Sequence, residues 1–125
     1  MKLYHGSPKK LDVLKPKLDS RTGVKGVWLT DIKEHAMIYA LLENSSKTNV
    51  EWRSHKGKFT GADVESKEHI FDSGFLYIIE VDESGLECIK EHSWTSKEAV
   101  IPESIKTVKR EQLEALNVTF VKIER

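Results

Sequence analysis

The stretch Gly26-Val27-Trp28-Leu29-Thr30, running straight into Asp31-Ile32-Lys33-Glu34-His35-Ala36-Met37-Ile38-Tyr39-Ala40, sets the frame for the whole chain. Its first five residues have the β-branched and aromatic content of a buried strand. The pattern then changes period. Asp31 reads as a helix N-cap, with Glu34 three residues on as in a capping box. Ile32, Ala36, Tyr39, Ala40 and Leu42 fall near helical spacing, so a helix is expected over 31–44, closing at Asn44-Ser45-Ser46.

Upstream, Lys2 to Tyr4 reads as a short strand that runs into the breaker cluster Gly6-Ser7-Pro8. Leu11, Val13, Leu14 and Leu18, with Pro16 among them, read as irregular packing or a short helical turn, and Ser20-Arg21-Thr22-Gly23 as a turn or loop. Downstream, 45–68 is polar and without sustained period; it is expected to be a long surface loop, or a loop containing a short strand, anchored by Trp52, Phe59 and Val64. Phe75-Leu76-Tyr77-Ile78-Ile79-Glu80-Val81 is the clearest strand and is mostly apolar, hence central. After a turn at Gly85, Leu86 to Ile89 pairs again. Ala99-Val100-Ile101 and Val118 to Ile123 are further strands, the last preceded by a short helix at about 109–116. Strands outnumber helices and no regular crossover helices separate them. The fold class is α+β with a mainly antiparallel sheet, as one domain over 1–125.

Composition narrows the function classes. The 125 residues balance 20 Lys+Arg against 20 Asp+Glu, which forecasts no phosphate-driven nucleic-acid binder. The single Cys88 excludes an internal disulfide and is expected to be a small buried hydrophobe. Five scattered histidines at no ligand spacing argue against a metal site. There is no phosphate loop, no Gly-x-Gly-x-x-Gly and no His-Glu-x-x-His. No apolar run is long enough to span a bilayer, and the N-terminus turns polar too early for a secretory signal. The expected setting is cytoplasmic, of a producing or a target cell, with no membrane partner.

Three segments remain: Tyr4-His5-Gly6-Ser7; the strand and helix carrying Trp28 and Tyr39; and Trp94-Thr95-Ser96-Lys97-Glu98-Ala99-Val100-Ile101. Singly, each has a plain structural reading. His5 suits an edge strand, Tyr39 an apolar helix face, and Glu98 a solvated strand end. In order, they resemble the ADP-ribosyltransferases of the diphtheria-toxin and poly(ADP-ribose)-polymerase branch, which use a His-Tyr-Glu triad. Tyr4-His5-Gly6-Ser7 matches the first motif. Gly26-Val27-Trp28-Leu29-Thr30 with Ala36-Met37-Ile38-Tyr39 matches the second, with the family's spacing from strand aromatic to helix Tyr. Glu98-Ala99-Val100-Ile101 matches the third, in which a Glu heads a strand. The resemblance runs from residue 3 to about 101.

The resemblance implies an ADP-ribosyltransferase-like fold with a split sheet, and NAD⁺ as co-substrate without a metal. It gives catalytic roles to Glu98, His5 and Tyr39. Glu98 would hold the nicotinamide-ribose 2′-hydroxyl and stabilise an oxocarbenium ion. His5 would bind the adenosine ribose, and Gly6 would let the backbone grip the carboxamide. Tyr39 and Trp28 would wall the nicotinamide ring, with Ser7 and Thr30 completing the NAD⁺ contacts. The loop of about 88–97, with Trp94 and Ser96, would select the acceptor. Trp94 also suits a core position. Two departures stand out: Trp28 replaces the usual Tyr, and Ser96 stands where the arginine-modifying class carries an acid. The activity implied is mono-ADP-ribosyl transfer to a protein or nucleic acid, as in a toxin or phage effector with a host target or an antitoxin partner. The alternative is a non-catalytic NAD⁺ or ADP-ribose-nucleotide-binding module of the same fold, and a third reading is an α+β domain that works through partner contacts.

Overall fold

A computed structural model describes residues 1–18 and 23–124. The expected turn at Ser20-Arg21-Thr22 lies outside the described residues. The architecture is α+β, with two sheets and few helices.

The first sheet contains β1 (Lys2–Ser7), β2 (Lys17–Leu18), β3 (Lys25–Thr30), β6 (Ser73–Glu80), β7 (Leu86–Lys90), β8 (Ser93–Ser96) and β9 (Ser104–Lys109). Its order is β7-β8-β3-β1-β6-β9, with β2 paired to β3, and every pairing is antiparallel. The expected central strand is there: β6 lies between β1 and β9 and is buried on both faces. Leu76 joins one core cluster, while Tyr77 and Ile79 join the other.

The second sheet is β10-β5-β4, from β4 (Thr48–His55), β5 (Lys58–Ser66) and β10 (Val118–Lys122), with β10 parallel to β5. Here the expected 45–68 loop is corrected. Apart from a one-turn 3₁₀ segment at Ser45–Lys47, that stretch is a hairpin. Lys56 and Gly57 connect its strands with φ of 51° and 76°. Two successive positive φ values are what a two-residue hairpin turn needs to follow the strand twist. Ala62 and Val64 face inward and Trp52 stays 37% exposed, so the hydrophobic alternation is thin.

Helix α1 (Lys33–Tyr39) is shorter than the expected 31–44. Asp31 does not cap it; the residue before the helix is Ile32, whose N–H goes to Thr30 Oγ1 at 3.1 Å. The Asp31 carboxylate instead receives His92 Nδ1 at 2.9 Å. The helix lies on the first sheet with Ala36, Met37 and Ile38 buried. Two glycines allow this closeness. A Cβ on Gly6 would lie 1.8 Å from Ala36 O, and one on Gly74 1.9 Å from Ala40 O. The second sheet and α2 (Arg110–Glu114) complete this cluster with Val64, Leu113, Val118 and Phe120. Leu3, Leu14, Val27, Leu29, Tyr77, Ile79 and Val100 form the second cluster. The expected final helix and strand are both present, as α2 and β10.

Two further expectations fail. Ala99-Val100-Ile101 is not a strand but one bridge, with Leu14 and Val100 exchanging both backbone hydrogen bonds at 2.8 Å. The next bonded positions would set Pro16 opposite Glu98 and Pro102 opposite Asp12. Proline has no N–H to give, so the ladder stops on both sides. The late strands are instead β8 before Glu98 and β9 after Pro102. Cys88 is exposed rather than buried, because β7 is an edge strand with little packed on it. Among the described residues, no helix is long and apolar enough to cross a membrane.

Candidate active site at the parting of two strands

Strand β1 pairs with β6 at six positions, and β3 pairs with β8 at four. Between β1 and β3 there is one register pair, Tyr4↔Thr30. From that pair the two neighbours part, and the sheet splits between His5–Ser7 on one side and, on the other, the first half of β3, whose Lys25 and Gly26 pair with Leu18 and Lys17 of β2.

His5 spans the parting. Its Nδ1 lies 2.7 Å from Trp28 O. A carbonyl oxygen only accepts, so Nδ1 carries the proton and donates. Burial of the ring pushes its pKa down, outweighing the Trp28 hydrogen bond that raises it; Lys17 adds a smaller downward push. The ring is therefore a neutral tautomer at neutral pH, with Nε2 left as an acceptor.

Trp28 has a second partner. Its indole meets the Tyr39 ring edge-on, with centroids 4.9 Å apart. Strand alternation sends Gly6 toward α1 and His5 to the other face, where its ring lies 6.0 Å from Tyr77. His5 and Tyr39 thus stand on opposite faces of β1, and both reach Trp28, one at its carbonyl and the other at its ring.

The remaining expected residues are placed as follows. Gly6 is packed on α1. Ser7 ends β1 with its Oγ accepting from Lys9 N at 3.2 Å. Thr30 is fully buried, and its hydroxyl receives the Ile32 N–H. Trp94 packs against the second core cluster, so its core reading holds. Ser96 is buried and donates from Oγ to Glu98 O at 2.9 Å, shaping the exit from β8. Glu98 is exposed and follows β8 instead of heading a strand. Since Ser96 pairs with Val27, Glu98 leaves the sheet just beyond Val27. That is the end of β3 that has parted from β1.

Sequence reasoning missed what the β4–β5 hairpin brings. Trp52 stacks on His35 of α1 with centroids 3.7 Å apart, and lies 6.1 Å from Tyr39. Phe59 stands edge-on to His35 at 6.2 Å. An aromatic row therefore runs from Trp28 through Tyr39 to Trp52, His35 and Phe59. Burial, with help from nearby His92, lowers His35 to about 4 despite the opposing pull of Asp31. His92 is raised, chiefly by its hydrogen bond to Asp31. The available signal was the pair Val50 and Trp52 at period two, ahead of a Lys-Gly turn. Thr95 was missed too. It pairs with Trp28 and is buried, and its Oγ1 has no hydrogen-bond partner.

This arrangement brings the Trp28 and Tyr39 rings together on one face of β1 and leaves an acceptor nitrogen at His5 on the other, with the Glu98 carboxylate exposed past the end of β8. Among the described residues, no three His, Cys, Asp or Glu side chains gather as a metal site. No family model matches the chain, and neither the curated proteins nor the solved structures include a match to it.

Proposed function

We propose that the chain is a mono-ADP-ribosyltransferase that uses NAD⁺ and has an ADP-ribosyltransferase-like fold. The observation that carries the reading is the parting of β1 from β3, bridged by His5 on Trp28 O, with Tyr39 on the Trp28 ring. The first two sequence motifs thereby meet at one residue. The third motif leaves the sheet at the same parted end.

The reaction breaks the C1′–N bond of NAD⁺, and nicotinamide departs neutral with the bonding electron pair. A nucleophile on the acceptor bonds to C1′ and releases its proton. In the proposed division of labour, Tyr39 and Trp28 hold the nicotinamide ring. His5 Nε2 accepts from a ribose hydroxyl while Nδ1 stays bound to Trp28. The Glu98 carboxylate offsets positive charge developing on the ribose, as carboxylates do in glycoside hydrolysis. Partners in this reading are a protein or nucleic-acid acceptor.

The exposure of Glu98 favours a second reading, a nucleotide-binding module of the same fold without turnover. One experiment separates the two. Purified protein and Glu98→Gln are incubated with labelled NAD⁺ and cell lysate. Transfer predicts a labelled macromolecular band with wild type, and loss of about 10²-fold or more in the variant. NAD⁺ binding without release of nicotinamide would establish the module, and full activity in Glu98→Gln would remove Glu98 from the site.

A further inference from the structure

Thr95 lies within β8 and is 7% exposed. Its Oγ1 is the one buried side-chain nitrogen or oxygen among the described residues with no hydrogen-bond partner. Two other buried hydroxyls near it are occupied. Thr30 Oγ1 takes the Ile32 N–H, and Ser96 Oγ donates to Glu98 O. Burying a hydroxyl unpaired costs free energy that an apolar side chain of the same shape would not cost. Valine would serve β8 better if packing were all that mattered here.

The position of this orphan is informative. Cross-strand partners share a sheet face, so Thr95, Trp28 and Gly26 stand together on one face. Gly26 comes so close that an added Cβ would lie 3.0 Å from Thr95 Cβ and 3.1 Å from Ser96 O. That side is closed by backbone. On the other side stands Trp28, part-buried, its ring meeting Tyr39.

We propose that Thr95 Oγ1 is a ligand-binding hydroxyl of this site. It hydrogen-bonds an amide or ribose hydroxyl of a nicotinamide nucleotide held against Trp28 and Tyr39, reached as the Trp28 indole shifts. The proposal rests on the NAD⁺ reading above and adds a polar contact from β8, a strand the sequence did not mark.

Thr95→Val and Thr95→Ser test it, because they separate hydroxyl from shape. Binding of NAD⁺ and of nicotinamide is measured by calorimetric titration on the full chain, and Tm without ligand by thermal unfolding. Loss of one hydrogen bond predicts a Kd about three- to tenfold weaker in Thr95→Val, while its Tm holds or rises. Thr95→Ser retains the wild-type Kd. A stability gain joined to a binding loss is the signature of a hydroxyl kept for a ligand. If wild type binds and Thr95→Val binds equally tightly, the hydroxyl role is overturned and the NAD⁺ reading stands. The same holds if Thr95→Ser binds as weakly as Thr95→Val. If wild type binds neither probe, the NAD⁺ reading falls and takes this inference with it.

Discussion

Replacing Gly6 with alanine would put a methyl group where helix α1 already lies. The added Cβ would lie 1.8 Å from Ala36 O, 2.8 Å from Ala36 C and 2.8 Å from Ala40 N. All three are backbone atoms, so no rotamer change relieves the clash. Ordinary contact begins near 3.4 Å, so the helix must retreat by about 1.6 Å (3.4 − 1.8) at that point. Tilting offers little relief, because Gly74 sets α1 equally close to β6 through Ala40 O. Overpacking a core costs about 1–3 kcal/mol, and a clash with helix backbone held close to two strands belongs at the upper end. About 3 kcal/mol is a large share of a domain's typical 5–15. Gly85→Ala is the control: nothing lies within 4 Å of its added Cβ and its φ is not positive, so its effect should stay within about 0.5 kcal/mol. Urea unfolding followed by tryptophan fluorescence compares the two. A Gly6→Ala curve that overlays Gly85→Ala would refute the close seating of α1 on β1. The resemblance gave Gly6 to the nicotinamide; packing alone already demands glycine there.

Two histidines should titrate in opposite senses by NMR. His35, held down at about 4, takes its proton in the unfolded chain first. Its contribution to stability is thus full above its ordinary value of 6.5 and is lost as pH falls from there through about 4. Trp52→Ala uncovers the ring and should move its midpoint back up; an unmoved midpoint would refute the stacking as its cause. His92 is raised, so its contribution is full below 6.5 and fades as pH rises through its higher folded value. Asp31→Asn should return it to the ordinary range, and an unchanged His92 would break that assignment. Cys88 should react with one equivalent of Ellman's reagent in the native protein; reaction only after denaturation would put the thiol inside.

The strand and helix at 26–39 were legible because a clean change of period marks them. β6 was legible because the unbroken apolar run Phe75-Leu76-Tyr77-Ile78-Ile79 leaves little choice. The β4–β5 hairpin was hidden because most of β4 faces solvent and carries little alternation beyond Val50 and Trp52, and because its turn begins with Lys56, not with Asn or Asp. β8 was hidden for a related reason: Ser93-Trp94-Thr95-Ser96 is polar yet buried, and polar strands do not announce burial. Ala99-Val100-Ile101 shows the opposite error, where β-branched content promises a strand that two prolines forbid. The motifs named the candidate residues on β1, β3 and α1. The aromatics of the hairpin were out of reach, because only folding brings residues 52 and 59 beside residues 35 and 39.

Where β1 and β3 part, β2 pairs with β3 only at Lys25 and Gly26, and backbone groups left unpaired along the rest of the split would be costly. His5 reduces that cost with one bond, its Nδ1–H to Trp28 O standing in for a missing ladder bond. Satisfying the fold this way uses one ring nitrogen and leaves the other with a lone pair, fixed in direction by the first. Burial then holds the imidazole neutral, so that lone pair stays available at neutral pH. A structural histidine and a ligand-binding histidine are therefore not rival descriptions of His5. Asparagine at this position could repeat the donor but not the rigid ring that aims the acceptor. Alanine would lose both and leave Trp28 O unpaired beside the ring that Tyr39 packs against. The fold's need to close the split orients the polar group that the proposed chemistry uses.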